Sequence, residues 1–210
     1  GGKLTFTMIH NWGEKVAVRP RSAAIVEEDG LFLSNYICLQ PVESLQMYPT
    51  AFLEGENAVT RFNSILLATQ KSLLDVGARV HLRRLGCRAE IISRAVTRGG
   101  RVWARGHLIG EAPSIKAHME CQGLILDEKG FVHAVPELEG FTKDVEMSHE
   151  ASVGKISGEA ITYLMARGLS EEEAIATIVR GFFDVKIQGL PKELQMELDR
   201  VAAASEKYMF

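Results

Sequence analysis

Met147-Ser148-His149-Glu150-Ala151-Ser152-Val153-Gly154-Lys155-Ile156 marks the point at which the chain changes regime. Upstream, short apolar/polar runs are broken by Gly, Asn and Asp, the pattern of strands and turns. Downstream, apolar residues recur at helical spacing. The seam sets an imidazole beside a carboxylate, and a lone thiol, Cys121, precedes Glu150 by 29 residues. One soft ligand and two harder ones near one structural boundary suit metal or sulfur chemistry.

Working upstream, Leu4–His10, Lys15–Arg19, Ser22–Val26 and Leu31–Cys38 read as strands. Further runs follow at Ala58–Phe62, Arg79–Arg83, Ala89–Ser93, Arg101–Arg105, Ile115–Met119, Leu124–Leu126 and Phe131–Val135. Gly55, Gly77, Gly86, Gly99-Gly100, Pro113, Gly130 and Gly140 break them at intervals of roughly 8–15 residues, the spacing of all-β domains. An antiparallel sandwich and a β-solenoid both fit. Two features favour the solenoid. Asp29-Gly30 is the one hairpin-type Asn-Gly or Asp-Gly dipeptide, and the runs are short and alike, as stacked coils require. A solenoid has an open end with unpaired backbone and exposed core, so it demands a cap.

The tail is the expected cap. Ala160, Ile161, Leu164 and Met165 share a helical face, and Gly168 suits a helix stop. Ser170-Glu171-Glu172-Glu173 is a capping box that opens a second helix with the stripe Ala174, Ile175, Ile178, Val179, Phe182 and Phe183. Pro191 is placed to open a third, with Leu194, Leu198, Val201 and Ala202. Packing against the β part is the expected main role of these helices. The expected division is a β core over 1–154 and a helical region over 155–210.

Composition narrows the function. The chain has 210 residues, 46% of them hydrophobic, and a net charge of −3, so a nucleic-acid surface is not expected. No run reaches the about 18 apolar residues a membrane span needs, and the first residues lack a signal-peptide pattern. A cytoplasmic location with reduced thiols is therefore expected. Cys38, Cys87 and Cys121 are odd in number and widely spaced, which argues against a disulfide framework or a closed zinc site. An aromatic content of 7%, with no spaced carboxylate pair on neighbouring runs, weighs against a polysaccharide-cleaving solenoid. The chain is not expected to be an enzyme.

Three segments together resemble one family. They are His149-Glu150-Ala151-Ser152-Val153-Gly154-Lys155-Ile156, the helical segments Tyr163-Leu164, Arg167–Ala174 and Ile178–Phe182, and His118-Met119-Glu120-Cys121-Gln122-Gly123-Leu124-Ile125-Leu126. With Gly2-Lys3-Leu4 and Asn11-Trp12, they are similar to the SufB/SufD proteins of the SUF iron–sulfur cluster assembly system. The resemblance implies a right-handed parallel β-helix followed by a C-terminal helical region. It implies a scaffold that receives persulfide sulfur from a cysteine desulfurase system, and iron, and holds a transient iron–sulfur cluster. It also implies a SufC-type ATPase partner, met through the C-terminal helices at Ile175, Ile178, Val179 and Phe182. The chain departs from the family in being short and in carrying Ser148 where SufB-like proteins have a second acid. It joins a SufB-like thiol and carboxylate to a SufD-like histidine, which suggests a homodimer, with pairing to a SufD-like paralogue as the other arrangement. The alternative reading is an interaction module that bridges SUF partners and holds no cluster.

Cys121, Glu150 and His149 are the candidate cluster and sulfur ligands, and His133, between the two motifs, is a fourth candidate metal ligand. Residues 149 and 150 on one strand point to opposite faces, so a site that uses both needs a bulge or a second subunit. His118 lies on the face opposite Cys121 by the same parity. Cys38 and Cys87 are expected to be structural, and His10, His81 and His107 solvated or packed.

Overall fold

Strands form at the alternating runs and extend beyond them. The computed structural model describes residues 1–10, 12–183 and Met196. Its strands are β1 (Lys3–Ile9), β2 (Ala17–Val18), β3 (Ala23–Val26), β4 (Leu31–Cys38), β5 (Ser44–Met47), β6 (Thr50–Leu53), β7 (Val59–Ala68), β8 (Leu73–Leu82), β9 (Arg88–Thr97), β10 (Arg101–Gly110), β11 (Ile115–Ile125), β12 (Phe131–Gly140) and β13 (Val145–Lys155). Two helices follow, α1 (Gly158–Met165) and α2 (Glu171–Phe183).

Every strand pair is parallel. Parallel neighbours cannot be joined by hairpins, so the antiparallel sandwich does not form. The first sheet runs β1-β4-β7-β9-β11-β13. The second runs β12-β10-β8-β5-β2, with β6 also beside β8 and β3 beside β6. The chain crosses from one sheet to the other and back, giving a β-solenoid of about five turns.

Side chains from successive coils stack on one another. Asn35 Nδ2 donates to Thr7 Oγ1 at 3.1 Å and Asn63 Nδ2 to Asn35 Oδ1 at 2.7 Å, each across 28 residues. Ser64 Oγ donates to Ser93 Oγ at 3.1 Å across 29, and His118 Nδ1 meets Ser148 Oγ at 2.8 Å across 30. The coil thus lengthens slightly toward the C-terminal end. One corner is set by Asp29, Asn57, Gly86 and Ser114, all at positive φ. Asp, Asn and Gly tolerate that region better than other residues. Backbone bonds tie these corners together: Asp29 N–H donates to Glu56 O, Asn57 N–H to Leu85 O and Ser114 N–H to Asp144 O.

The core lies between the sheets and is filled by the inward residues of each strand, among them Val80, Leu108, Ile115 and Met119. A second apolar layer lies outside the first sheet. There Val179 and Phe183 of α2 pack on Ile37, Leu39, Ile65, Leu67 and Val96, with Ile175 and Phe182 at the margin. Arg94 Nη1 pins the helix by donating to Phe182 O at 2.9 Å. The expected cap is therefore not what α2 provides: it covers a sheet face, because that face is apolar on its outer side. The capping box forms as expected, with Ser170 N–H donating to Glu173 Oε2 and Glu173 N–H to Ser170 Oγ. Gly168 ends the preceding turn at φ 99°. The third helix expected from Pro191 lies outside the described residues, as does most of the 184–210 segment. Among the described residues, no helix is long and apolar enough to cross a membrane.

The last coil, β12 and β13, has a neighbour on one side only among the described residues. Its Leu138, Phe141 and Val153 are exposed.

Candidate functional site

Cys121 sits near the middle of β11, and His149 and Glu150 lie on β13 beside it. Register fixes their relation. Cys121 lies opposite Ala151, Met119 opposite His149, and Glu120 opposite Glu150. Alternate residues share a face. Met119 and Cys121 point into the core, and Met147 packs against the same core cluster. His149 follows Met147 by two residues and therefore shares the inward face with Cys121. The two Cα atoms lie about 8 Å apart, from a strand spacing of about 4.8 Å and a rise of about 3.3 Å per residue. Glu150 has the opposite parity and stands on the outer face. The 29-residue spacing from Cys121 falls one short of the 30-residue coil step, which turns the carboxylate away from the thiol within one chain.

Cys121 is only 2% exposed. Burial, and after it the charge of Glu120, push its thiol up to about 11. At neutral pH it is a protonated thiol, so reaction or metal binding at this sulfur requires the loss of its proton. His149 and Glu150 are both exposed at the open coil.

His133 lies elsewhere. It is on β12 in the second sheet, opposite Trp103, and its ring stacks on Phe131 on the outside of the solenoid. It does not face Cys121 within this chain. Among the described residues, no three His, Cys, Asp or Glu side chains are grouped so as to hold a metal ion. One chain therefore brings together Cys121 and His149, and leaves Glu150 and His133 on other faces.

Glu120 is a neighbour that sequence reading passed over. It faces Glu150 across the strand pair, and Arg94 Nη2 approaches it at 3.6 Å. Like charges directly opposite repel, and the Arg94 guanidinium offsets that repulsion. The signal was present as a Glu-Cys pair at 120–121, one coil before the His-Glu pair at 149–150.

The other two thiols lie away from this strand pair. Cys38 and Cys87 are fully buried, and burial raises both, Cys38 to about 12. His10 is packed against Tyr36, with Nδ1 at 2.7 Å from the phenol oxygen. His107 Nε2 meets Glu139 Oε1 at 2.6 Å. Of the four residues expected to dock an ATPase, Val179 is fully enclosed against the first sheet and is withdrawn from any docking face. Ile175 and Phe182 are partly used by the same packing, and Ile178 is half-buried.

Similarity to known proteins shows the family. The family model for the SufBD core domain, described as SUF system FeS cluster assembly, matches residues 1–182. An iron-sulfur cluster assembly SufBD family protein of Archaeoglobus fulgidus is 52% identical over 205 residues, covering 98% of this chain and 55% of the relative. One from Methanothermobacter thermautotrophicus is 50% identical over 210 residues, covering 100% of this chain and 51% of the relative. The iron-sulfur cluster assembly protein SufB of Bacillus subtilis is 33% identical over 205 residues, covering 96% of this chain and 44% of the relative. The chain spans about half the length of the relatives it matches.

Proposed function

The chain belongs to the SufBD core family of the SUF system for FeS cluster assembly, and from that premise we propose that its last coil is an assembly scaffold. One observation carries the reading: the register sets His149 on the face of Cys121 at the coil that, among the described residues, has a neighbour on one side only. Cys121 is the sulfur acceptor. Its sulfur loses its proton and attacks the outer sulfur of a donor persulfide; a new S–S bond forms, the donor's S–S bond breaks, and the donor sulfur leaves and takes up the proton as a thiol. The same sulfur and the His149 imidazole then hold iron as cargo, a mixed shell that retains a cluster less firmly than four thiolates. The protein acts by holding and passing on the cluster, not by catalysis.

A second chain completes the site, either a copy or a SufD-like paralogue. It covers Leu138, Phe141 and Val153 and brings a Glu150 or His133 from its own surface to the shared sulfur. A SufC-type ATPase docks on the helical side, through Ile178 and the exposed Tyr163 and Met165 rather than through Val179.

Anaerobic reconstitution with ferrous iron and sulfide, read by visible absorption, tests the reading. Wild type develops iron–sulfur colour, Cys121→Ser loses most of it, and His149→Ala loses part. Equal colour in Cys121→Ser contradicts the proposal. A colourless wild type favours the bridging module, which the absence of a metal-holding group among the described residues of one chain also suits.

A further inference from the structure

The outer face of the second sheet is mostly a ladder of paired charges. Arg105 is bound to Asp75, Arg83 to Glu54 and Glu111, and His107 to Glu139. One row breaks the ladder. Leu73, Arg101 and Phe131 are register partners on successive coils, with Trp103 and His133 one row further on. The Arg101 guanidinium lies 5.2 Å from the Trp103 ring centre and 5.1 Å from that of Phe131. The two rings are 5.7 Å apart, and Phe131 stacks on His133. Leu73 and Phe131 are exposed.

A groove of about 810 Å³ adjoins this row and shares Leu73 with it. Lys15, Lys71 and Arg98 line it, against the two carboxylates of Glu14 and Glu43. Among the described residues, no carboxylate lies within ion-pair distance of Lys15, Lys71, Arg98 or Arg101. The groove and its aromatic margin thus carry an excess of cations on a chain whose net charge is −3.

We propose that this groove and the Arg101–Trp103–Phe131 platform form a docking surface for an acidic peptide segment of a partner protein, anchored by an aromatic side chain. Charge selects the occupant. The unpaired cations attract carboxylates, and the fixed ring and guanidinium faces offer an anchor residue a preformed seat. Peptide is favoured over nucleic acid because Glu14 and Glu43 stand in the groove: a phosphate backbone carries a charge at every residue, whereas a peptide can set uncharged residues beside those two acids and its carboxylates beside the cations. The platform lies on the second sheet and the groove on the turns that lead into it, neither of which includes Cys121 of the first sheet, so the inference does not depend on cluster assembly.

The chain has two tryptophans, Trp103 in the platform and the exposed Trp12, two residues before Glu14 of the groove. Trp12→Phe therefore leaves Trp103 as a reporter inside the platform. The probe is the capped peptide Glu-Glu-Ser-Phe-Glu-Glu, titrated while Trp103 emission is followed. Saturable binding is expected, weakened about tenfold by Arg101→Glu. Similar weakening is expected from Lys15→Glu, and loss of binding when the peptide glutamates are replaced by glutamine. Circular dichroism checks that each variant is folded. No saturable change, or binding indifferent to both charge reversals, overturns the proposal. Tighter binding of a single-stranded oligonucleotide than of the peptide overturns it in favour of nucleic acid. Self-association that Arg101→Glu abolishes overturns it in favour of a second copy.

Discussion

Leu108 and Leu138 are register partners on adjacent coils, yet the first is 0% exposed and the second 40%. Met119 and His149 are partners in the same way, one sealed in the core and one open. The inward pattern is continuous across both coils, and among the described residues the difference is the presence of a next coil. A solenoid buries each layer with the following one, so its end is a finished face only when something lies on it. The central coils use their inward positions for stability. The last coil places the His149 imidazole at one of those positions, on the face of the thiol of the coil below.

This contrast can be broken by substitution. Leu108→Ala should cost about 2–5 kcal/mol in urea unfolding, because it opens a cavity in a filled core. Leu138→Ala should cost less than about 1 kcal/mol in the single chain, because little of its surface is removed from water there. Equal losses at both sites would mean that the last coil is already covered in solution.

The opposite end supplies the next test. His10 is almost fully buried in the first coil, and burial lowers it from 6.5 to about 4. The unfolded chain takes up a proton below about 6.5, while the folded chain resists until about 4. Stability from this group is therefore complete above 6.5 and falls as pH drops toward 4, by up to about 3 kcal/mol. His10→Gln should flatten the pH dependence of the urea midpoint over that window.

The smallest contrast is between two glycines. Gly86 holds φ 71° at a corner, with the Asn57 side chain where a Cβ would stand. Gly86→Ala should cost about 1–2 kcal/mol. Gly154, on β13, has open space around it, and Gly154→Ala should stay within about 0.5 kcal/mol of wild type in a thermal melt.

The parallel solenoid was legible because hairpin dipeptides are scarce and the runs repeat. Its period was less so. Gly77 reads as a break, yet it lies inside β8, where the Arg105 backbone occupies the space a Cβ would need. Counting it as punctuation shortened the strands and hid a coil of 28–30 residues. The corner positions Asp29, Asn57, Gly86 and Ser114 carried that period all along. The helix on the sheet face also had a signal. Tyr36-Ile37-Cys38-Leu39 and Ile65-Leu66-Leu67-Ala68 are apolar at both parities, as strands buried on both faces are. Residues 121, 149 and 150 stood out by type and spacing, but which of them share a face depends on the 30-residue step, and a single residue of coil length decides it.

Native mass spectrometry of the anaerobically reconstituted protein addresses the central claim most directly, that the last coil becomes an assembly site when a second chain lies on it. Iron and sulfide should appear only on the two-chain species, and Cys121→Ser dimers should carry neither. An intact cluster on the single chain would contradict it.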